Sequence, residues 1–379
     1  MASTRRDFLK TAAATGGAAA IGLGLPLEGK GQTGTAAVPR RATRALRILI
    51  LGGTNLTGPH MVRYALERGH SVSIFTRGRR DPGLFQDAFE HVKHLIGDRA
   101  NDLEALKGKE WDVVVDSSGS NEAWTRASAE LLRDAVGSYV YISSTGVYYP
   151  YPAGITEDTR VPVVDPSGGQ DGSARYGVMK ALSEIEARKV FGDRTTVVRP
   201  GYIVGPLDRT HRGTYWPQRI RRGGEVLVPG PKSDQVQQID VRDLTEWMVH
   251  LMEGDIHGTF NAVGPGYRLS MEEYVHGMRA ASSAEVRWTW IEDYAFLKEH
   301  ELRFAIPWIM ADGDYVGSQS VDNGRARAAG LTFRPLAVTA LDTLAWFDTL
   351  SDEERAAPPM ALSPEREAAI LAAWKARER

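Results

Sequence analysis

The stretch that most constrains this chain runs from residue 46 to 58, where an apolar segment leads directly into a glycine-rich turn. Residues 60–69 then place apolar side chains at helical spacing, and a second apolar run covers residues 71–75. Strand, tight turn, helix and strand in this order predict a βαβ unit. A glycine-rich turn before a helix N-terminus suits a pyrophosphate. We therefore expect a nucleotide site here, and a tight turn without a ligand is the alternative.

The turn has the spacing Gly52-x-x-Asn55-x-x-Gly58, which differs from the standard dinucleotide fingerprint. Asparagine tolerates left-handed backbone angles better than other non-glycine residues, so the turn is compatible with Asn55. The Asn55 side chain can alternatively reach a phosphate. We expect Gly52, Thr54, Asn55, Leu56 and Gly58 to contact the cofactor.

The first forty or so residues do not have the pattern of a folded domain. Residues 3–10 contain a twin-arginine export motif, and the apolar run that follows to residue 25 is too weak and broken to span a membrane. A disordered basic tail is the alternative. We predict that residues 1–43 are a twin-arginine signal peptide and linker, cleaved between residues 31 and 45. The export machinery is then a partner, the destination is periplasmic or extracellular, and no membrane anchor remains after cleavage.

Charge and composition narrow the possible functions. A net charge of −2 provides no field that would attract nucleic acid or an anionic membrane, so no nucleic-acid partner is expected. The absence of cysteine excludes disulfides, thiol catalysis and cysteine-ligated metals. His91 and His94 lie on a predicted strand without a third ligand, so we expect no metal site.

Strands and helices alternate as far as residue 200, which predicts an α/β fold of Rossmann type with a doubly wound parallel sheet over residues 44–200. The strands are expected at 46–51, 71–75, 91–96, 111–116, 138–143 and 194–199, and the helices at 60–69, 101–107, 121–135 and 174–191. Beyond residue 200 the alternation loosens. We expect residues 201–379 to form a smaller C-terminal substrate lobe, with its last two helices on the outside. The Pro/Gly-rich segment 150–172 is long enough for a lid or a wall.

The end of the second strand indicates which dinucleotide is bound. NAD-binding folds usually place an acidic residue there for the ribose 2′-hydroxyl, whereas this chain has Thr76 and Arg77. Arginine suits a 2′-phosphate, so we predict tightly bound NADP rather than NAD, with a solvated basic loop as the alternative. Asp98 and Ser117, each after a further strand, are expected beside the cofactor.

Tyr176 and Lys180 are four residues apart on one predicted helix and therefore share a face. A tyrosine hydroxyl titrates near 10, and a neighbouring ammonium group lowers that pKa. Ser144, at the C-terminal end of the fifth strand, can hydrogen-bond the same substrate oxygen. We predict that these three residues remove a hydroxyl proton while hydride leaves for the cofactor, with Lys180 also contacting the cofactor. An ordinary surface pair is the alternative for the tyrosine and lysine.

Together these motifs resemble the extended and atypical short-chain dehydrogenase/reductases, the NAD-dependent epimerase/dehydratase family, over residues 46–263. The resemblance rests on residues 52–58, 97–98, 111–116, 141–148, Tyr176-x-x-x-Lys180, 198–206 and 239–243. It implies that the family's active-site serine or threonine corresponds to Ser144 rather than Ser143. It also implies that Asn55 replaces the middle glycine of a G-x-x-G-x-x-G loop.

Two comparisons within the resemblance refine the expected activity. The glycine-rich loop looks most like an atypical branch that includes chloroplast RNA-binding relatives, but this chain keeps the whole triad. Sugar dehydratases of the family carry Asp-Glu just after the active-site residue, where this chain has Thr145 and Gly146. Dehydration is therefore not expected.

Other residues leave alternatives open. The arginines after the sixth strand suit either a phosphate or carboxylate site or a solvated loop, and three tyrosines suit either a sugar pocket or simple packing. These residues are Arg209, Arg212, Arg219, Arg221 and Arg222, and Tyr148, Tyr149 and Tyr151.

The favoured function is an exported NAD(P)-dependent oxidoreductase or epimerase for a sugar-like substrate, and a homo-oligomer is compatible with it. The rivals are a nucleic-acid binder of the same fold and a redox-sensing regulator without turnover.

Overall fold

The computed structural model describes residues 40–117, 119, 121–165, 167–169, 171–356 and 362–377. The predicted signal peptide therefore lies outside the described residues, apart from the last residues of its linker. The strands are Arg47–Leu51 (β1), Ser71–Thr76 (β2), Lys93–Ile96 (β3), Trp111–Asp116 (β4), Val136–Ile142 (β5), Thr195–Pro200 (β6), Ile203–Val204 (β7), Gly224–Pro229 (β8), Ile239–Asp240 (β9), Gly258–Ala262 (β10), Val286–Ile291 (β11), Phe304–Ala305 (β12) and Trp308–Ile309 (β13).

The α-helices are Thr57–Glu67 (α1), Gln86–Phe89 (α2), Glu122–Leu132 (α3), Gly172–Phe191 (α4), Tyr215–Arg221 (α5), Val241–Glu253 (α6), Met271–Arg279 (α7), Tyr294–Glu299 (α8), Gly324–Ala328 (α9), Leu336–Phe347 (α10), Asp352–Ala356 (α11) and Pro364–Arg377 (α12). In the part of the chain that the structure covers, no helix has both the length and the apolar character needed to cross a bilayer.

A seven-stranded sheet lies at the centre, in the order β10-β6-β5-β4-β1-β2-β3, and every pair in it is parallel. Its central strands are apolar and buried on both faces, as a parallel sheet covered by helices requires. The order reverses between β1 and β4, and ligands of such sheets bind at the carboxyl ends of strands beside that reversal. The predicted doubly wound α/β fold is confirmed.

Helices cover the two faces of this sheet with separate apolar cores. One core joins β1 and β2 to α1 and α6, with Met61, Val62 and Met248 among its buried side chains. The other packs α3 and α4 on the opposite face, through Leu132 and Phe191. The carboxyl edge of the sheet remains open between them.

The local predictions differ from the structure mainly at element ends. Asn121 caps α3 as its sequence position indicates, and its side chain accepts a hydrogen bond of 2.8 Å from the Ala123 N–H. The helix predicted over residues 101–107 is only a 3₁₀ turn at Glu104–Leu106. Asp102 lies in a backbone bridge with Asp98, and its carboxylate accepts from the Glu104 N–H, so too few residues remain for an α-helix.

The segment predicted to be the substrate lobe also completes the central sheet. β10 pairs in parallel with β6, with Phe260 opposite Val198, and α6 packs against α1. The expectation that the chain leaves the sheet at residue 200 is therefore wrong for residues 241–262. The sequence pattern assigns the strand at 258–262 to the lobe because 57 residues of loosely patterned sequence separate it from β6.

A third core gathers the remaining later elements. It joins α5, α7, α8, α10 and α12 to the two-stranded sheet of β8 and β11, and Trp216 and Trp308 are fully buried in it. Glu367 on α12 is buried beside Arg219 on α5, so the final helix is held by an ion pair as well as by apolar contact.

Candidate functional site

A cavity of about 1060 Å³ lies where the carboxyl ends of β1 to β6 meet. It brings together the predicted site residues except Gly58. These lining residues are Gly52, Thr54, Asn55, Leu56, Arg77, Asp98, Ser117, Ser144, Tyr176 and Lys180. The cavity also contains Gly53 and Arg99, which the sequence did not single out as site residues. It further contains Arg212, one of the five arginines for which an anion site and a solvated loop were both left open.

The glycine-rich turn works differently from the way its spacing suggests. Positive φ angles occur at Gly52, Gly53 and Leu56, and not at Asn55. The expectation that Asn55 takes a left-handed backbone is therefore wrong, since the reversal is made one residue later. Gly58 does not line the cavity, but a Cβ there would lie 2.3 Å from the carbonyl carbon of Gly53. Gly58 thus allows α1 to start directly against the turn.

The N-terminus of α1 has the features of an anion site. No side chain caps it, no acidic residue lies in its first turn, and Leu56 and Thr57 both line the cavity. Uncapped N–H groups and the helix dipole favour a phosphate group at such a position. The residues present therefore fit the pyrophosphate of a dinucleotide.

The far end of the cavity carries positive charge. Arg77 follows β2 and is exposed, and Arg79 and Arg80 line the same wall. Asp98 accepts a hydrogen bond of 3.0 Å from the Ala100 N–H through one carboxylate oxygen. The Ser117 hydroxyl donates to the Leu51 carbonyl at 2.9 Å, so it ties the segment after β4 to the end of the neighbouring strand β1.

Arg99 is a functional candidate that the sequence analysis missed. It is buried in the cavity wall and makes two hydrogen bonds with Asp116, at 2.7 and 2.9 Å. Desolvation raises the pKa of Asp116, but the charge and hydrogen bonds of Arg99, together with the Tyr139 hydroxyl and the charge of Lys180, outweigh it and leave that pKa lowered. A buried ion pair therefore lies beneath the cavity. Arg99 lines the cavity, and Asp116 does not.

Ser144 and Tyr176 lie together just beyond the C-terminal end of β5. Ser144 begins the 3₁₀ turn Thr145–Tyr148, and its Oγ accepts from the Gly146 N–H at 3.0 Å. Tyr176, on the second turn of α4, is 45% exposed and lines the cavity. Desolvation raises the pKa of Tyr176, while a hydrogen bond from Ser144 and the charge of Arg212 oppose that rise. The charge that lowers the pKa of Tyr176 comes from Arg212, but desolvation is the larger cause and the net shift is upward.

Lys180 is buried one turn below the tyrosine. Its Nζ lies 5.8 Å from the Tyr176 ring centroid and donates to the carbonyls of Gly119 and Ile142, at 3.1 and 3.0 Å. Burial lowers the pKa of Lys180 to about 8, although Asp116 and Glu184 raise it. The ammonium group has three donors, so one remains for a ligand in the cavity.

Two glycines allow the triad to assemble. A Cβ on Gly177 would lie 2.2 Å from the Gly146 carbonyl oxygen, and a Cβ on Gly146 would lie 3.3 Å from the Tyr176 ring. α4 therefore packs directly on the turn that carries Ser144. Gly177 follows Tyr176 in the sequence, so the dipeptide was visible, but the contact that requires it was not.

A buried network supports the same turn from below. Arg199 at the end of β6 forms a bidentate pair with Glu184, at 2.6 and 2.9 Å, and donates to the Tyr148 hydroxyl at 2.7 Å. The Ser143 hydroxyl donates to the same carboxylate. Tyr148 and Ser143 thus hold this turn through buried hydrogen bonds, and Ser143 also lines the cavity. The assignment of the active-site position to Ser144 stays a prediction.

The structure separates the arginines that the sequence groups together. Arg209, Arg219 and Arg221 pair with carboxylates, at 3.6, 2.5 and 2.7 Å, outside the cavity. Only Arg212 of the five lines the cavity. Among the three tyrosines only Tyr151 lines it. Across the described residues, no cluster of three or more His, Asp or Glu side chains has a geometry that suits a metal ion.

Comparison with known proteins agrees with this geometry. Residues 48–262 match the model of the NAD dependent epimerase/dehydratase family, and residues 3–22 match the TAT (twin-arginine translocation) pathway signal sequence. Both predicted resemblances are therefore confirmed.

Two curated relatives and one solved structure illustrate the similarity. The chain is 29% identical over 246 residues to the chloroplast stem-loop binding protein of 41 kDa b from Arabidopsis thaliana, a match that covers 62% of this chain and 61% of that protein. It is 27% identical over 251 residues to dTDP-4-dehydro-6-deoxy-D-allose reductase from Streptomyces bikiniensis, covering 57% and 76%. The chain thus spans about three fifths of the length of the first relative.

The solved structure is that of the Bordetella bronchiseptica enzyme WbmH in complex with NAD+. It superposes with a TM-score of 0.57 and 18% identity, over 81% of this chain and 99% of that one. At this identity the likeness shows the shared fold.

Proposed function

The chain belongs to the NAD dependent epimerase/dehydratase family, and from this premise we propose an oxidoreductase or epimerase that acts on a hydroxyl or ketone of a sugar-like substrate. The observation that carries the proposal is the meeting of Ser144, Tyr176 and Lys180 in the cavity that the glycine-rich turn also lines. The sugar reductase among the relatives supports the substrate class.

Each residue of the triad has a distinct task in this proposal. Tyr176 takes the hydroxyl proton of the substrate, and Ser144 hydrogen-bonds the same oxygen and keeps the phenol in place. Lys180 directs its remaining donor at the cofactor ribose and keeps a positive charge below the tyrosine. A bound nicotinamide would supply the hydride acceptor.

The cofactor in this proposal is NADP, held more tightly than NAD. The turn at residues 52–58 and the start of α1 would hold the pyrophosphate, and Asp98 would face the adenine. Arg77 at the end of β2 would pair with the 2′-phosphate, since arginine is suited to bidentate phosphate recognition.

Export limits the reactions that such a site can catalyse over repeated turnovers. The twin-arginine match at residues 3–22 supports transfer across a membrane, and we propose a periplasmic or extracellular destination. Proteins on this route are carried folded, so the cofactor can be loaded before export. Outside the cell, free NAD(P) and nucleotide-sugars are expected to be scarce. We therefore propose a free sugar, a glycan end or a polyol as substrate, and a closed redox cycle on one bound cofactor.

The test is to purify the mature protein after export and to release bound nucleotide by acid or heat. Nearly one nicotinamide cofactor per chain, poorly exchanged by dialysis, is the expected result. Empty protein that turns over only with added cofactor, and consumes it mole for mole with substrate, would refute the closed cycle.

The similarity to a stem-loop binding protein favours RNA binding as the second candidate. Binding of structured RNA at moderate salt, measured beside a cofactor-dependent absorbance change with a panel of sugars, separates the two. Tight RNA binding without any reaction would favour the second candidate.

A further inference from the structure

The loop between β7 and α5 holds an unusual backbone. Leu207 and His211 have φ angles of 76° and 55°, in the left-handed region that non-glycine residues rarely adopt. Asp208 is fully buried within this loop and accepts hydrogen bonds from the N–H groups of Thr210 and Gly213, at 3.1 and 3.0 Å. Strained residues persist only where the surroundings fix them, and they concentrate at functional sites. The loop is therefore built to hold its next side chain in place.

That side chain is Arg212, and its orientation is fixed from two sides. Its Nε donates to the Thr210 hydroxyl at 2.7 Å, and its guanidinium carbon lies 5.7 Å from the Tyr202 ring centroid. Over the described residues, its two terminal nitrogens have neither a hydrogen-bond nor an ion-pair partner. Arg212 thus presents a fixed, unpaired guanidinium edge in a cavity, whereas Arg209 in the same loop pairs with Glu354.

The charges around the cavity indicate what Arg212 can bind. Asp98, at the cofactor end, is the one carboxylate among the described lining residues. At the other end the lining is neutral apart from Lys180 and Arg212, and Lys180 already donates to two carbonyls. A single guanidinium fork matches a carboxylate in both charge and geometry, whereas a phosphate dianion usually draws several cations.

Arg212 also acts on the proposed base. Its charge lowers the pKa of Tyr176, against the desolvation that raises it. It likewise opposes the desolvation that raises the pKa of Tyr202 to about 12. Arg212 and Tyr176 also line the same cavity, so a group bound by Arg212 shares that space with the oxygen that Tyr176 would deprotonate.

We infer that the substrate is a sugar acid, and that Arg212 binds its carboxylate beside the reacting carbon. The inference deepens the proposed function and rests on it, because it assumes a substrate oxygen at Tyr176. It assigns to Arg212 the choice between an acidic sugar and its neutral counterpart.

The experiment uses the full mature protein with its bound cofactor. Binding of D-glucuronate and D-galacturonate is measured by calorimetry, each against its uronamide, which has nearly the same shape without the charge. The variants are Arg212→Gln and Arg212→Lys, with Arg209→Gln as the matched control from the same loop. Reduction of the bound nicotinamide is followed separately by absorbance.

We expect the acid to bind more tightly than the amide, and Arg212→Gln to weaken acid binding by about 10- to 100-fold, the scale of a charge-assisted hydrogen bond. Amide binding should not change, Arg212→Lys should restore part of the preference, and Arg209→Gln should behave as wild type. Equal binding of acid and amide, an undiminished preference in Arg212→Gln, or no binding of any uronate overturns the inference. Selective binding with neither transient reduction of the nicotinamide nor any conversion of the bound sugar would support it and refute the proposed reaction instead.

Discussion

The two ends of the cavity are built in opposite ways. The end expected to hold the cofactor, from residue 52 to Ser117, is built from consecutive strand ends and a helix start, with glycines of the turn and the uncapped N-terminus of α1 in its lining. The substrate end uses side chains from segments as far apart as Tyr151, Arg212 and Gln319. A dinucleotide is the same molecule in many enzymes, so a local backbone cradle suffices for it. The substrate varies, and the side chains of distant loops can vary with it at little cost to the sheet.

Tyr176 joins the two ends, and its removal should have the largest effect. Tyr176→Phe keeps the ring but removes the proton acceptor, so we expect turnover to fall by about 10²- to 10⁴-fold with cofactor still bound. Steady-state rates together with a cofactor titration measure this. Tyr151→Phe, on the wall of the same cavity, is the control and should stay within a few-fold of wild type. Near-normal rates in Tyr176→Phe would remove the tyrosine from the mechanism.

The contact between α4 and the Ser144 turn should be the next most sensitive. In Gly177→Ala the new Cβ would lie 2.2 Å from the Gly146 carbonyl oxygen, so backbone must move. We expect a loss of about 3 kcal/mol in the free energy of unfolding, as in overpacked cores, and a lower kcat.

Gly172 provides the matched control for that contact. It lies on the same helix, and a Cβ added there would have no atom within 4 Å, so Gly172→Ala should change stability by less than about 1 kcal/mol. Denaturant unfolding of both variants makes the comparison. Equal stability of the two would show that the tight approach is not required.

Arg77 should affect the cofactor end alone. Arg77→Ala should weaken NADP binding by about 1–3 kcal/mol, the loss of a charge-assisted hydrogen bond, and leave NAD binding nearly unchanged. Titration of cofactor-free protein with each nucleotide measures the difference, with NAD as the internal control. Equal losses for both cofactors would show that Arg77 does not contact the 2′-phosphate.

Replacement of Lys180 should abolish turnover but change the free energy of unfolding only slightly, which is a smaller stability effect than that of Gly177→Ala. Burial lowers the pKa of Lys180 to about 8, so the folded protein holds this proton less tightly than the unfolded chain does. Below pH 8 the buried charge therefore destabilises the fold, and this penalty fades as the pH rises from about 8 towards the ordinary lysine value.

Lys180→Met should accordingly raise the free energy of unfolding at pH 7 by about 1–2 kcal/mol, after the loss of two hydrogen bonds, while turnover stops. The gain should shrink between pH 8 and about 10. Unfolding curves at several pH values measure it, and a destabilised variant at pH 7 would show that the two carbonyl contacts outweigh the buried charge.

The sequence predicted the residues at the two ends of the cavity with unequal success. The βαβ unit and the triad depend on spacing within one or two elements, and the structure does bring Ser144, Tyr176 and Lys180 into one cavity. The roles of these residues remain predictions. Local spacing also located Arg77 at the end of a strand, and its preference for a 2′-phosphate stays a prediction.

The missed features all depend on contacts between distant segments. Gly177 matters because of Gly146, and Arg99 because of Asp116. Three of the arginines near Arg212 pair outside the cavity with carboxylates that come from residues 348–367. Periodicity and spacing carry no information about such partners, so a cluster of five arginines could not be resolved into four that lie away from the cavity and one that lines it.

The position of β10 at the edge of the sheet has a consequence for how the protein is made. Its partner β6 ends at residue 200, but β10 begins only at Gly258, so the intervening loops must be synthesised before the sheet has its last strand. Pairings across such long separations form late and slowly, because the loop entropy is lost before the contact is gained. A nascent chain that has emerged only to residue 250 does not yet contain β10. The edge of β6 is then unpaired, and Phe260 has not yet been added to the core. Formation of this last parallel pair therefore marks the point at which the cofactor sheet is complete.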